Sequence, residues 1–202
     1  MFKKFFKEKQ YINYLRENNE KPIEQAIFND TVRKAFVDFV KLNKNKHVAL
    51  IGGLAIGAWT RSRNTDDIDI IVLSEEDIDL IEKNISEKFK RTRTHAFEHR
   101  KYGVEIEIIT PEFIKESKTV IKNAIDNSKK DEVDGHEIKV ITPKYLIALK
   151  LGRAIDKKNP KSFIDKFDIT NLINIYGKID LSDLNLSKEK IDLYNSLAEE
   201  LE

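Results

Sequence analysis

The chain has 202 residues, of which 40% are hydrophobic, and this is long enough for one domain with a substantial core. Its 36 Lys and Arg residues nearly balance its 35 Asp and Glu residues, so the overall charge predicts neither nucleic-acid nor membrane binding, and any such site must be local. Cysteine is absent, which excludes disulfides, thiolate catalysis and zinc or iron–sulfur sites built on cysteine.

The composition also bears on where the protein works. The lack of cysteine is compatible with a reducing cytoplasm, and no apolar run approaches the roughly 20 residues that a membrane-spanning helix requires. The basic opening MFKKFFKEK lacks the apolar centre of a secretory signal, so its phenylalanines predict the apolar edge of a first helix. Its lysines predict a solubilising face, with guidance of RNA phosphates as the alternative. We therefore expect a cytoplasmic protein without membrane association.

The first part of the chain changes between helical and extended patterns. Two adjacent glycines, Gly52 and Gly53, follow a short apolar run, and an alternation of acidic and apolar residues begins at Asp67. Alternation with a period of two indicates a strand, which here becomes fully apolar, as in a strand that enters a core. The periodicities predict a helix over residues 22–43, a strand over 47–51, a small helix over 54–59 and a strand over 67–73.

The middle of the chain predicts another helix and a β-hairpin. Ser74 and Asp77 resemble a capping box, and apolar residues as far as Phe89 follow on one helical face. Alternating residues flanking a glycine-containing turn are typical of a hairpin. The predicted hairpin has strands over 92–99 and 104–110 and a turn over 101–103.

A tight turn and a change of composition mark the C-terminal part. Asp134-Gly135 predicts a turn that leads into a strand, and Thr142-Pro143 has the residue types of a helix cap and first helical position. The elements predicted here are a strand over 137–141 and helices over 143–157, 161–176 and 187–201. We therefore predict an α/β (α+β) fold with a mixed, twisted sheet flanked by helices. Its core domain would cover residues 1–142 and its helical region, packed on the core, residues 143–202.

The segment IGGLAIGAWTRSRNTDDIDIIV, residues 51–72, combines a glycine turn with paired carboxylates. Asp67 and Asp69 are two residues apart on the predicted strand, so both side chains point to one face, as oxygen ligands of a divalent cation must. Their mutual repulsion is relieved by a cation or by a shared proton, and a metal is the simpler remedy. Gly52 and Gly53 allow backbone N–H groups to approach a phosphate at a helix start. A metal and a phosphate together indicate a nucleotide.

The strand over 104–110 offers a third carboxylate, from Glu105 or Glu107, and Glu107 lies deeper in the strand. Together these residues resemble the nucleotidyltransferase superfamily with the DNA polymerase beta-like fold. Its signature is a Gly-Gly or Gly-Ser turn, a short helix, an Asp-x-Asp strand and a later acidic residue on an adjacent strand. The matching positions are Gly52, Gly53, Asp67, Asp69 and Glu107.

A narrower resemblance rests on three further segments. RNTDDID over residues 63–69 is similar to the Arg-x-Thr-x-Asp-x-Asp string of AbiEii-type abortive-infection toxins. TPKYLIALK over 142–150 resembles their proline-led helix with a lysine, and KSFIDKFDI over 161–169 resembles their closing Lys-x-Asp-x-x-Asp-Ile element. The sequence departs from that pattern in having glutamate as the third acid, an insertion between Lys161 and Asp165, and a short C-terminal region.

The resemblance implies transfer of a nucleoside monophosphate from an NTP to an acceptor hydroxyl. Mg²⁺ or Mn²⁺ would be held by Asp67, Asp69 and Glu107, and Glu107 would help deprotonate the acceptor. It also implies a set of phosphate-binding and supporting residues. These are Gly52, Gly53, Arg63, Thr65 and Lys150 for the nucleotide, with Asp165 and Asp168 orienting Lys150. Arg63 and Lys150 are alternatives for neutralising charge on the leaving group.

Several alternatives remain open at the sequence level. Lys150, Arg153 and Lys157 share one helical stripe, which is more often a solvent face than a phosphate site. His95 and His99 match an H-x-x-E-H zinc-protease string, but their flanks favour strand and turn instead of helix. The acceptor could be an RNA end such as tRNA, a protein or a small molecule such as an aminoglycoside, and a cognate antitoxin would accompany a toxin. A non-catalytic NTP- or partner-binding module is the second functional class.

Overall fold

The computed structural model describes residues 22–27, 29–43, 47–60, 65–114 and 116–201. The predicted amphipathic segment at the N-terminus lies outside these residues. Seven described strands form one sheet in the order β3-β4-β5-β2-β1-β7-β6. The strands are β1 (Ala49–Ile51), β2 (Ile68–Ile71), β3 (Phe89–Arg93), β4 (Ala96–His99), β5 (Glu105–Ile109), β6 (Lys129–Val133) and β7 (His136–Val140).

Helices flank the sheet and dominate the C-terminal part of the chain. Those before residue 142 are α1 (Pro22–Ala26), α2 (Asp30–Leu42), α3 (Gly52–Thr60), α4 (Glu75–Ile85), α5 (Pro111–Ile114) and α6 (Lys118–Asp126). Those after it are α7 (Pro143–Ala154), α8 (Ser162–Tyr176), a 3₁₀ turn (Ser182–Leu184) and α9 (Lys188–Glu199). The predicted fold class, a mixed sheet flanked by helices with a helical C-terminal region, is confirmed.

The sheet is mixed, and its centre brings together distant parts of the chain. Strand β1 is antiparallel to β2 and parallel to β7, and β2 is parallel to β5. Leu50 therefore has Ile70 on one side and Val140 on the other. All three are fully buried in a hydrophobic cluster that continues into α7 and α8. The core thus extends across the predicted boundary at residue 142, whose value as a domain limit stays a prediction.

Trp59 joins the sheet to the C-terminal helices. Its indole Nε1 donates a hydrogen bond to the carbonyl oxygen of Ile141 at 2.8 Å, and its ring meets Tyr176 of α8 edge to face. The Trp59 side chain is half-buried and packs against the hydrophobic core. The indole has this position because its N–H needs a partner when the ring is buried.

The predicted single helix over 22–43 is wrong, because the structure has two helices there. Helix α2 starts after Asn29, whose side-chain oxygen accepts hydrogen bonds from the backbone N–H groups of Thr31 and Val32 at 2.9 and 3.5 Å. Asparagine at this position satisfies donors that the first helical turn leaves unpaired, so it starts a new helix. The capping box expected at Ser74 is present, since the Asp77 carboxylate accepts from the Ser74 N–H at 3.1 Å.

The strand predicted over 92–99 is also wrong, because it contains a turn. Strands β3 and β4 are antiparallel and meet at Thr94 and His95, with an irregularity in register between Arg91 and Arg93. Helices α5 and α6 and strand β6 were not predicted. The turn expected at Asp134-Gly135 does join β6 to β7, and both residues have the positive φ angles, 47° and 77°, that two-residue hairpins require. Among the described residues, no helix is long and apolar enough to cross a bilayer.

Candidate active site

A glycine corner connects the central strand β1 to helix α3. Gly52 has a φ of +69°, and a Cβ atom added to it would lie 1.7 Å from Oδ2 of Asp69. Both facts require glycine, because other residues are strained at this φ and because any side chain would occupy the position of the carboxylate. Glycine at this corner therefore allows the Asp69 carboxylate to approach the backbone closely.

Asp69 lies on β2 with β1 on one side and β5 on the other, opposite Ile51 and Glu107 respectively. Burial raises the pKa of its carboxyl group, and the negative charges of Glu107 and Asp67 raise it further. The N–H of Gly53, which donates to Asp69, and the positive charge of Lys150 oppose that rise only in part. In this structure the glycine corner, predicted to bind phosphate, thus contacts a carboxylate of the protein itself.

Asp67 and Thr65 lie on the segment that leads into β2. Asp67 is exposed, and its N–H donates to Oγ1 of Thr65 at 3.4 Å. The Thr65 side chain in turn lies against Gly53, where an added Cβ would be 2.9 Å from its Cγ2. Thr65 therefore packs on the glycine corner and orients the chain before Asp67. Arg63, predicted to bind phosphate, lies outside the described residues.

Glu107 is next to Asp69 because β2 and β5 run parallel and pair these two residues in register. Its Oε1 is 4.0 Å from Nη1 of Arg93, and Glu105 on the same face accepts a hydrogen bond from Nη2 of that arginine. Within the described ranges, no three Asp, Glu, His or Cys side chains are gathered closely enough to hold a metal ion as they stand. The Glu107 carboxylate lies instead within ion-pair distance of Arg93.

Lys150 lies across the cleft from these acids, on α7. Its Nζ is 2.8 Å from Oδ1 of Asp165 and 2.8 Å from Oδ2 of Asp168, and all three residues are at least 95% buried. Arg153 adds a second cation, with Nη2 2.8 Å from the same Oδ1 of Asp165. The second oxygen of Asp165, Oδ2, is buried without a hydrogen-bond partner among the described residues. Lys150 and Arg153 therefore both compensate the negative charge of the buried Asp165 carboxylate.

One cleft of about 240 Å³ brings the predicted residues together. The predicted site residues that line it are Gly52, Gly53, Thr65, Asp67, Asp69, Glu107, Lys150 and Asp165. Asp168 does not line the cleft and contacts Lys150 from behind. The lining also contains three basic residues that the sequence analysis did not assign to the site: Arg93, Arg153 and Lys161. Isolated basic residues carry no local signal for a site, and only the fold brings these to the cleft.

The two histidines of the H-x-x-E-H string lie apart from this cleft. His95 is in the β3–β4 turn, with Nε2 3.0 Å from Glu75, while His99 is on β4 with Nε2 3.1 Å from Asp38. Nδ1 of His99 accepts from the N–H groups of Lys101 and Tyr102, which assigns the ring proton to Nε2. The two rings therefore have separate structural partners. A zinc protease of this type requires both histidines on one helix face, and these two are not on a helix.

Comparisons with known proteins support the fold. No protein-family model matches the sequence, and no curated protein matches it. Among solved structures, the chain is similar to an antigenic nucleotidyltransferase-like protein from Paracoccidioides brasiliensis. The TM-score is 0.60 at 18% sequence identity, and the superposition covers 85% of this chain and 89% of the other. The chain has a nucleotidyltransferase-like fold. At this identity the likeness concerns the fold alone.

Proposed function

We propose that the protein is a metal-dependent nucleotidyltransferase that moves a nucleoside monophosphate from an NTP to an acceptor hydroxyl. The observation that carries this proposal is the pairing of Asp69 with Glu107 beside the glycine corner of an open cleft. Burial and two neighbouring acids raise the pKa of Asp69, so the site is short of positive charge when all three acids are ionised. Closely spaced acids, one of them largely desolvated, are stabilised by a divalent cation with oxygen ligands.

Asp67, Asp69 and Glu107 are the residues that would hold Mg²⁺ or Mn²⁺. Such an ion, when bound, neutralises the polyphosphate and makes the acceptor hydroxyl more acidic. Rotation of the Glu107 side chain away from Arg93 would bring its carboxylate toward Asp69, its neighbour in register.

The proposed reaction is a single displacement. The acceptor oxygen forms a bond to the α-phosphorus, the bond from that phosphorus to the pyrophosphate oxygen breaks, and pyrophosphate leaves. Glu107 takes the proton of the acceptor hydroxyl. The basic residues on the α7 and α8 side of the cleft face the charge that develops on the leaving group. Gly52 and Gly53 contribute close backbone approach at the start of α3.

We further propose that the activity is of the AbiEii type, in a cytoplasmic toxin with a cognate antitoxin. The support is the order of elements: Thr65, Asp67 and Asp69 in one string, then the proline-led helix α7 with Lys150, then Asp165 on α8. The contact between Lys150 and Asp165 agrees with that pattern. The acceptor would be tRNA or another RNA end, with a protein or an aminoglycoside-like small molecule as the other acceptor classes.

Label transfer tests this function. The protein is incubated with each labelled NTP, Mg²⁺ and either total RNA or a lysate, and transfer of label to RNA, protein or small molecules is measured. The matched control is the double variant Asp67→Asn and Asp69→Asn, which keeps the shape of both side chains. We expect transfer by the wild type only. Absence of label transfer that depends on these two acids would contradict the proposal.

A second candidate is a non-catalytic module that binds an NTP or a protein partner on the same scaffold. The position of Arg93, which interacts with both Glu105 and Glu107, favours it, since the arginine already supplies positive charge to that side of the cleft. Calorimetry distinguishes the two candidates. NTP binding that is unchanged by Asp69→Asn, together with no turnover for any acceptor, would support the binding module.

A further inference from the structure

Four basic residues line the cleft, and they differ in how much of their charge is already compensated: Arg93, Lys150, Arg153 and Lys161. Arg93 interacts with Glu105 and Glu107 on the acidic side. The other three face it from α7 and the start of α8. Only a cation that keeps hydrogen-bond donors directed at the cleft can contact the phosphates of a nucleotide bound there.

Lys150 is the cation that the sequence pattern favours for binding phosphate, but its charge compensates two buried carboxylates. Its side chain is only 6% exposed, and its ammonium group contacts one oxygen each of Asp165 and Asp168 at 2.8 Å. Two buried carboxylates thus face one ammonium group, an excess of one negative charge. Moving Lys150 onto a phosphate would take its ammonium group away from two buried carboxylates, which is strongly unfavourable.

Arg153 supplies the missing positive charge and remains accessible. Its side chain is 42% exposed, and its Nη2 contacts Oδ1 of Asp165 at 2.8 Å. A guanidinium group has five N–H donors in a planar fork, so it can hold this carboxylate and still donate to a phosphate from its other edge. In the part of the chain that the structure describes, Asp165 is its one ion-pair partner. The buried carboxylate therefore orients the arginine and leaves other N–H donors of its guanidinium group available.

Lys161 offers a comparison within the same cleft. It is exposed, lies directly before α8, and has no ion pair with any described residue. A flexible ammonium group without a fixed partner loses side-chain entropy when it binds, whereas an oriented guanidinium group has lost it already. The structure therefore ranks Arg153 above Lys161 as a phosphate ligand.

We propose that Arg153, instead of Lys150, is the residue that binds the β and γ phosphates, that Asp165 is a positioning residue that acts through it, and that Lys150 compensates the charge of the buried aspartates. This inference rests on the proposed function, because it takes the cleft to be an NTP site. Arg153 is a helix residue three positions after the lysine that the sequence pattern singles out, and its contact with Asp165 joins the two.

Calorimetric titration with tripolyphosphate and Mg²⁺ tests the inference without any assumption about the base. Arg153→Gln should weaken tripolyphosphate binding by roughly 10- to 100-fold, the range for losing a hydrogen bond between charged groups. Binding of orthophosphate, which is too short to span the site, should change much less. Arg153→Lys should recover part of the affinity. Lys161→Gln and the remote Lys157→Gln remove the same charge and should each cost about threefold or less.

A charge-balanced variant tests the role of Lys150 without leaving an unpaired buried charge. Lys150→Met combined with Asp168→Asn removes the ammonium group and one carboxylate together, so Asp165 and Arg153 remain as a pair. This variant should bind tripolyphosphate within about fivefold of the wild type, since the phosphate ligand is retained. Its thermal unfolding is measured first, to establish that it folds.

The outcomes separate this inference from the function on which it rests. If the wild type binds neither tripolyphosphate nor any NTP, both are overturned. If the wild type binds but Arg153→Gln binds equally well, the inference is overturned and the nucleotidyltransferase proposal stands. A loss in the charge-balanced variant as large as that in Arg153→Gln would also overturn it, because Lys150 would then be the phosphate ligand.

Discussion

Two sets of carboxylates lie on opposite sides of the cleft, and they differ in how far their negative charge is compensated. Asp67, Asp69 and Glu107 lie close enough for two of them to raise the pKa of the third. Asp165 and Asp168 are more deeply buried, yet each contacts Lys150 at 2.8 Å. The first set carries an excess of negative charge that the fold leaves in place, and the second is balanced by cations of the same chain.

The difference indicates what each set is for. A balanced, buried ion cluster fixes the relative position of two helices and gains nothing from an added ion. An acidic set with excess charge destabilises the protein on its own, so its retention beside a cleft is typical of a site for a cation and its ligand. The comparison therefore predicts that substitutions in the two sets change stability in opposite directions.

The largest effect is expected from breaking the balanced set. Lys150→Met leaves Asp165 and Asp168 buried without their ammonium partner, which should lower the free energy of unfolding by about 3–5 kcal/mol. Urea denaturation followed by circular dichroism measures this. Lys34→Met is the control, because Lys34 pairs with Asp30 on an exposed helix face and should change stability by about 1 kcal/mol or less. Equal losses in the two variants would contradict a balanced buried cluster.

In the acidic set, substitution is expected to raise the stability of the metal-free protein. Asp69→Asn should reduce nucleotidyl transfer at least about 100-fold, since even residues behind metal ligands contribute up to that factor. The same variant should raise the melting temperature of the metal-free protein, because it removes a charge that burial and two acids disfavour. Differential scanning calorimetry with EDTA measures the second effect. Asp67→Asn, at an exposed position, should give a smaller gain in melting temperature. A lower melting temperature for Asp69→Asn would show that the charge is compensated.

The glycine corner gives a prediction of intermediate size. Gly52→Ala should destabilise the protein by about 1–2 kcal/mol from the positive φ alone, and further because its Cβ would displace the Asp69 carboxylate. Gly103→Ala is a matched control, since Gly103 has a φ of +66° with nothing within 4 Å of the added Cβ. The difference between the two free energies of unfolding, measured in urea, isolates the contact with Asp69. No difference would mean that the carboxylate moves away freely.

The smallest effect concerns pH. Because the pKa of Asp69 is raised on folding, its ionised form destabilises the protein, and this penalty disappears as the pH falls through that raised pKa. Asp38 has the opposite sign. Burial alone would raise its pKa, but hydrogen bonds from Lys88 and His99 outweigh burial and lower it. Its stabilising contribution is present above the unfolded-state pKa and is lost as the pH falls through the lowered one.

Urea denaturation of the metal-free protein between about pH 2 and about pH 7 measures both terms. In Asp69→Asn the gain on acidification should vanish, and in Asp38→Asn the loss should vanish. Identical pH profiles for these two variants would contradict the assigned directions.

The sequence predicted the local parts of the acidic set and none of its register. Alternation around Asp67 and Asp69 identifies a strand with both carboxylates on one face, and the adjacent glycines identify a turn. Glu107 is preferred to Glu105 as the third acid because it lies deeper in its predicted strand. That it lies opposite Asp69 follows from the parallel pairing of β2 with β5, which no local pattern encodes.

The elements that the sequence did not predict correctly have three different explanations. Thr94 and His95 form the β3–β4 turn without glycine or proline, so the sequence pattern predicts one strand where the structure has two. Asn29 was a readable helix cap inside the long helical pattern, and giving it weight would have divided that helix correctly. Strand β6, with the sequence KKDEV, is mostly charged and has no apolar alternation to reveal it.

The basic residues of the cleft show a different limit. Lys150 and Arg153 lie on a helix whose charged stripe is most simply interpreted as a solvent face, but Lys150 is 5% exposed. The reason is the pair of aspartates on α8, which provide the compensating charges from another element. Whether a charged residue is buried depends on such tertiary partners, and sequence periodicity carries no information about them.

The position of β1 at the centre of the sheet has a consequence for synthesis on the ribosome. Leu50 must pair with Val140 to complete the strand that ends at the glycine corner, so a nascent chain lacking β7 leaves one edge of β1 open. That edge is apolar and could associate with other chains until the later hairpin emerges. The strand order therefore leaves this edge of β1 uncovered until residues 136–140 have been synthesised.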